Sequence, residues 1–155
     1  MLSRDRATAV ICNGEIYNYQ KLRKDLIGLG RSFNSGSDTE VLLYGYEQWG
    51  MSFLERLHGM FAFALWDIRN RRLLLARDRV GIKPLYFCIN NKCLSFASEL
   101  KALLKLPGVE REINPSALSD YFTCGYVPAP ESIFKKIYKL PPACYLYLQD
   151  GRIDL

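Results

Sequence analysis

Val10 to Tyr19 reads VICNGEIYNY, and the interpretation of this stretch decides the rest. A run of small apolar residues from Ala7 to Cys12 has the character of a buried strand. It meets Asn13-Gly14, a turn pair, then a single carboxylate, Glu15, before the chain turns helical. A strand that stops there presents a side-chain amide and an unhindered backbone N–H at its tip. Two neutral donors of that kind can stabilise an oxyanion. The competing interpretation is an Asn-Gly turn closing a hairpin, which the dipeptide by itself favours.

Working outward, Asn18 is placed to cap a helix whose Leu22, Leu26, Ile27 and Leu29 form an apolar stripe, ended by Gly28 and Gly30. Arg31 to Asn34 reads as a short extended piece. Ser37-Asp38-Thr39-Glu40 has capping-box spacing and precedes a second helix containing Val41, Leu42, Tyr44 and Trp49. Helix initiation explains that tetrapeptide fully, yet Ser37 can cap while Asp38 faces a cleft as a ligand for an ammonium group. Phe53 to Leu57 is a short helix, and GMFAFALWD (59–67) a strand rich in β-formers. Arg69-Asn70-Arg71 turns it into a partner over 72–77.

DRVGIKP (78–84) is a loop punctuated by Gly81 and Pro84. A second hairpin spans Leu85–Ile89 and Cys93–Ala97 around Asn90-Asn91. Ser98 begins a helix, ELKALLKL, stopped by Pro107-Gly108. Asn114-Pro115 opens another that runs to about Thr123 near Gly125. The proline-rich tail closes with a hairpin, 145–149 against 152–155, about Asp150-Gly151. Mixed helices and hairpins indicate an α+β layered fold with antiparallel sheets.

Composition sets limits. The chain has 155 residues, enough for one domain, and 49% hydrophobic residues, enough for a core. No apolar window is long enough for a membrane span, and MLSRDRATAV lacks the centre of a signal peptide, so the expected compartment is cytoplasmic. Five cysteines (Cys12, Cys88, Cys93, Cys124, Cys144) contain no C-x-x-C pair, and His58 is the single histidine, which argues against zinc. Most of these thiols read as small core residues in a reducing compartment. A net charge of +5 permits an acidic partner without requiring one. Arg69, Arg71, Arg72, Arg77 and Arg79 cluster about one hairpin. A cluster at a turn is a solvated face before it is a nucleic-acid surface, so no nucleic-acid partner is expected.

NGEIYNY, SDTE (37–40), GMFAFALWD, ARDRVGIKPLYF (76–87), FASELKALL (96–104) and the tail GYVP…SIF…KLPPA occur in an order that resembles the glutaminase domain of glutamine-dependent asparagine synthetases. That domain has the class II amidotransferase fold, and the likeness runs from about Ala9 almost to the end. The resemblance implies an Ntn-hydrolase-like αββα four-layer sandwich. It also implies a thioester mechanism in which an N-terminal cysteine attacks the carboxamide of glutamine, its own α-amine serving as base. Asn13 would give its side-chain amide, and Gly14 its backbone N–H, to the oxyanion hole. Glu15 and Asp38 would hold the α-amino end of glutamine. Arg77, Asp78 and Lys83 would hold loops near the site.

The sequence departs from the family at its start. MLSRDR places no cysteine after Met1, and the arginine that grips the glutamine carboxylate has no counterpart. Cys12, inside the expected strand, reads as a core thiol rather than a replacement nucleophile. The Ser-Gly-Gly loop of the ATP-using half is absent too. The expectation is therefore a single partial glutaminase domain lacking its first strands, inactive alone. It needs no cofactor of its own, and ATP and magnesium belong to the missing synthetase domain, its expected partner beside glutamine. A sheet edge left uncovered invites self-association. The alternative is a non-catalytic glutamine-binding or partner-binding module derived from the same fold.

Overall fold

The computed structural model describes residues 1–90 and 93–154. Its first half contains β1 (Thr8–Ile16), α1 (Tyr19–Gly28), α2 (Glu40–Trp49), α3 (Phe53–Arg56), β2 (Gly59–Asp67) and β3 (Arg72–Arg77). The second half contains β4 (Tyr86–Asn90), β5 (Cys93–Ala97), α4 (Leu100–Leu103) and α5 (Pro115–Cys124), then β6 (Ile137–Lys139), β7 (Tyr145–Gln149) and β8 (Arg152–Asp154). One antiparallel sheet has the order β1-β2-β3-β7-β8 and the other β5-β4-β6.

Alternation along β2 builds two cores from one strand. Phe61, Phe63 and Leu65 face the helices, where they meet Leu22 and Leu26 of α1, Leu42 and Leu43 of α2, and Phe53. Ala62 and Ala64 face the other way, toward Leu85, Leu140 and Leu146. Alanine at those two positions lets the second sheet approach closely. That sheet's outer face packs Cys88 and Ile137 against Leu103. The order helix, sheet, sheet, helix gives the expected four-layer α+β architecture with antiparallel sheets.

Several local readings change. α1 buries only Leu22 and Leu26, four residues apart, whereas Ile27 and Leu29 are more than half exposed. Asn18 makes no cap hydrogen bond. Its amide donates to the Arg56 carbonyl at 2.8 Å and its Oδ1 accepts from the His58 N–H at 3.0 Å, tying the start of α1 to the entry of β2. The helix expected from Ser98 shrinks to one turn, Leu100–Leu103. β6 carries only the β-formers Ile137 and Tyr138, too short a signal to stand by itself, and it pairs along the edge of β4. Arg31–Asn34 joins no strand. Of the cysteines only Cys88 is buried; Cys12 and Cys144 are half-buried, and Cys93 and Cys124 are exposed.

Other expectations hold. The Asn114 side chain accepts from the Ser116 N–H at 3.2 Å with Pro115 in the first turn, and Gly125 ends α5 at φ 77°. Asp150 and Gly151 both have positive φ in the β7–β8 turn, as a two-residue hairpin requires. Asn91 of the β4–β5 hairpin and Leu155 of the last one lie outside the described residues.

Candidate active site

The strand does not stop at Asn13-Gly14. β1 continues to Ile16, with Asn13 opposite Ala62, Gly14 opposite Phe61 and Ile16 opposite Gly59. Long-range pairing with β2 overrides the turn signal because two glycines let the backbones close on each other. A Cβ on Gly14 would collide with the Met60 carbonyl oxygen and lie 2.7 Å from the Phe61 Cα; one on Gly59 would collide with the Glu15 carbonyl oxygen. Gly14 sits at φ 144°, which L side chains rarely adopt.

β1 is the edge of its sheet. On its outer side Met1 exchanges hydrogen bonds with Val10, the Val10 N–H donating to the Met1 carbonyl at 2.9 Å and the Met1 ammonium to the Val10 carbonyl at 2.6 Å. The Ser3 hydroxyl accepts from the Thr8 N–H at 2.9 Å. Antiparallel ladders alternate inward and outward groups. Even-numbered residues of β1 therefore point away from β2, and the Gly14 N–H faces the open edge. Further along, the Ile16 N–H donates to Asp38 Oδ2 at 2.8 Å. Met1 to Ser3 occupy one end of this edge and Asp38 the other. Only Cys12 and Gly14 keep outward backbone groups between them.

Asn13 and Glu15 share the strand face toward the second sheet, and both are exposed. Asn13 lines a groove of about 160 Å³ between the sheets, with Ala62, Leu85 and Phe96 on its walls. Glu15 and Asp38 line an adjacent open cleft of about 500 Å³ with Tyr17, Tyr19 and Ser37. The four sequence-predicted residues thus meet at one edge, three by succession along β1 and the fourth by the Asp38–Ile16 bond.

Only half of the expected capping box forms: the Ser37 hydroxyl accepts from the Thr39 N–H at 3.2 Å, but the Ser37 N–H goes to the Ser35 hydroxyl and not to Glu40. Glu40 instead turns back onto the preceding loop. It accepts from the Asn34 N–H at 2.8 Å, the Ser35 N–H at 2.9 Å and the Ser35 hydroxyl at 2.6 Å. Asn34 and Ser35, small polar residues just upstream, were the available signal that Glu40 serves this loop.

Cys12 lies on the helix-facing side of β1, packed against that core and opposite in direction to the Asn13 side chain. Burial, with the nearby Asp38 carboxylate, pushes its thiol up to about 11, and the Lys83 ammonium offsets little of this. It is a poor nucleophile at neutral pH. Iodoacetamide at pH 8 should label exposed Cys93 and Cys124 first and Cys12 about 100-fold more slowly than a free thiol. Peptide mapping by mass spectrometry reads this directly, and prompt labelling of Cys12 would contradict the assigned environment.

Loops beside the site are pinned from within. The Arg77 guanidinium donates to the carbonyls of Lys83, Leu140 and Gly81 at 2.7, 2.6 and 2.7 Å. Asp78, fully buried, accepts from the N–H groups of Phe61, Val80, Ile82 and Lys83 at 3.3, 3.2, 2.9 and 3.0 Å. Since Phe61 is paired to Gly14, Asp78 anchors the strand against which Gly14 rests. Arg77 is thereby removed from the arginine cluster, and Arg69 is paired with Asp5.

Helices outside two antiparallel sheets make up a four-layer α+β fold, with an amide, a backbone donor and two carboxylates gathered at its edge strand. The chain belongs to the glutamine amidotransferase domain family, which it matches over residues 1–155. It is 40% identical over 144 residues to asparagine synthetase [glutamine-hydrolyzing] 3 of Bacillus subtilis, covering 92% of this chain and 24% of that protein. A putative asparagine synthetase [glutamine-hydrolyzing] of Mycobacterium bovis is 44% identical over 148 residues, covering 93% and 23%. The chain therefore spans about a quarter of the length of these curated relatives. Among solved structures, the glutamine phosphoribosylpyrophosphate amidotransferase of B. subtilis shares the fold with a TM-score of 0.66 at 21% identity, over 99% of this chain and 30% of that one.

Proposed function

We propose that this chain is the glutamine-handling part of a glutamine-dependent asparagine synthetase, the part that releases ammonia for amidation of aspartate. The observation that carries the reading is the edge of β1, where the Gly14 N–H faces outward beside the Asn13 amide and Asp38 is bonded to Ile16.

When a thiolate adds to the carboxamide carbon of glutamine, negative charge develops on the carbonyl oxygen. The Asn13 amide and the Gly14 N–H are the neutral donors that take up this charge, and each such donor is worth about 10²–10³ in rate. Glu15 and Asp38, exposed and half-buried respectively, offer carboxylates to the α-ammonium group. Asp38 has Oδ2 committed to the Ile16 N–H at 2.8 Å, while Oδ1 accepts only a long bond from the Thr39 hydroxyl at 3.5 Å and keeps capacity for a ligand. Of the five cysteines only Cys12 lies near these donors, and its thiol is directed away from them and held protonated. The chain accordingly contributes binding and charge stabilisation, and the attacking thiol is not assigned to Cys12.

Ammonia would pass to a synthetase part, where ATP and magnesium supply aspartate activation. Among the described residues no cluster of His, Cys, Asp and Glu is placed to hold a metal ion. No helix among them is long and apolar enough to cross a membrane. A reducing cytoplasm suits the free cysteines.

Calorimetric titration with L-glutamine tests the reading. Asp38→Asn should weaken binding about 10–100-fold, the scale of one charge-assisted hydrogen bond. Equal affinity in wild type and variant would remove the ammonium role from Asp38. Glutamine binding that turns nothing over is expected both here and for the non-catalytic module that is the second reading, whereas turnover lost in Cys12→Ala would make Cys12 the nucleophile and contradict its assigned environment.

A further inference from the structure

We infer that Glu40 is a positioning residue for Asp38, acting through a relay of loop hydrogen bonds rather than through contact with the ligand. The inference rests on the glutamine-site reading for its consequence, but its geometry is independent of it.

Glu40 is 3% exposed, at the first position of α2, and ion-pairs with none of the described residues within bonding distance. A carboxylate buried there without a purpose would be costly. Its purpose is the loop 34–38. Both oxygens are occupied by Asn34 and Ser35, and the Ser35 hydroxyl in turn accepts from the Ser37 N–H at 3.2 Å. The Ser37 hydroxyl accepts from the Thr39 N–H at 3.2 Å, closing a turn about Asp38. Arg23 of α1 donates to the Ser35 carbonyl at 2.5 Å and stacks on Phe33 with 4.5 Å to the ring centroid. The loop is therefore clamped between α1 and α2, and Asp38 leaves it aimed at the Ile16 N–H. Burial by itself would raise the Glu40 carboxyl, but the Asn34 and Ser35 donors and the Arg23 charge outweigh it and hold it ionised below its usual range.

Two carboxylates two residues apart in sequence thus do different work. Asp38 is presented to the cleft, and Glu40 holds the loop that presents it. A serine-to-glutamate spacing that reads as a helix cap is used here to fix the bearing of a ligand-facing group.

The test is amide NMR of the wild-type chain, Glu40→Gln, Glu40→Ala and Ser35→Ala, with L-glutamine titrations of each. The Ile16 amide proton, donating to a carboxylate, is the reporter of Asp38 placement. In folded Glu40→Ala it should shift by several tenths of a ppm upfield, and glutamine affinity should fall about 10-fold or more. Glu40→Gln, which keeps an acceptor for the backbone donors, should recover much of both. Ser35→Ala cuts the link from Ser35 to Ser37 while leaving the buried carboxylate in place, and should give a smaller shift of the same sign. Should Glu40→Ala fail to fold, Ser35→Ala decides. An Ile16 amide unmoved in Ser35→Ala, or in folded Glu40→Ala, overturns the positioning role. Wild-type protein that ignores glutamine while the Ile16 amide responds as described would instead overturn the glutamine reading and leave the relay standing.

Discussion

Gly14→Ala should destabilise the protein by about 3 kcal/mol, lowering its melting temperature by roughly 10 °C. The methyl group has no room, because its carbon would meet the Met60 carbonyl oxygen and the Phe61 Cα of the paired strand. It also imposes a side chain on a residue at φ 144°. Neither obstacle is the end of a flexible side chain that can swing aside. Relief requires β1 and β2 to separate at Asn13–Glu15, which would move the outward N–H and the Asn13 amide together. Glutamine binding should therefore be lost even at temperatures where the variant is folded. Gly36→Ala, on the nearby loop, has nothing within 4 Å of the added carbon and negative φ, so it is the matched control and should change stability by less than about 1 kcal/mol. Thermal unfolding followed by circular dichroism distinguishes the two; equal melting temperatures would mean that the strands do not approach as described.

Asp78→Ala should be at least as damaging, with a loss of about 4 kcal/mol at neutral pH. Four backbone N–H groups converge on this fully buried carboxylate. Removing it leaves buried donors without partners, at about 1–3 kcal/mol each before relaxation. Asp78→Asn keeps the shape but turns an NH₂ group toward N–H donors, and should recover only part of the loss. Burial alone would raise the Asp78 carboxyl, but the N–H groups of Lys83, Ile82, Val80 and Phe61 outweigh it and hold it below its ordinary value of 3.8. The sign follows from a depressed folded value: the contribution is complete above about pH 4 and is lost as pH falls through that folded value. Urea unfolding of wild type should show stability falling on the acid side. The gap to Asp78→Asn should narrow there, and a gap independent of pH would contradict the buried-anion account.

Both residues lie in stretches whose importance could be read from the sequence, but for reasons the sequence expresses unevenly. The α+β class, the antiparallel pairing of GMFAFALWD with RLLLAR, the Asn114-Pro115 start of α5 and the Asp150-Gly151 turn follow from local chemistry, and local chemistry prevailed. Asn13-Gly14 did not follow it. The pair is a turn signal, yet Gly59, 45 residues later, removes the one obstruction to continued pairing, and no window of local sequence contains both glycines. Glu40 departs from its local signal for a similar reason. Its spacing from Ser37 fits a capping box, while its partners, Asn34 and Ser35, lie upstream of the cap. Ile27 and Leu29 looked like core because periodicity counts apolar residues but cannot tell which of them a neighbouring sheet reaches. Asn13, Gly14, Glu15 and Asp38 were legible as candidates through family resemblance. What the sequence lacked was the bond from Asp38 to Ile16 that joins the last of them to the others.

On the proposed function, glutamine is held at this edge of β1. Titrating ¹⁵N-labelled protein with L-glutamine and recording amide spectra locates the ligand residue by residue. Saturable shifts are predicted at the Asn13 side-chain amide and at the backbone of Gly14, Glu15, Ile16 and Asp38. Shifts confined to the cleft lined by Tyr86, Tyr121 and Tyr126 on the far side of the second sheet, or none up to millimolar ligand, would contradict the account.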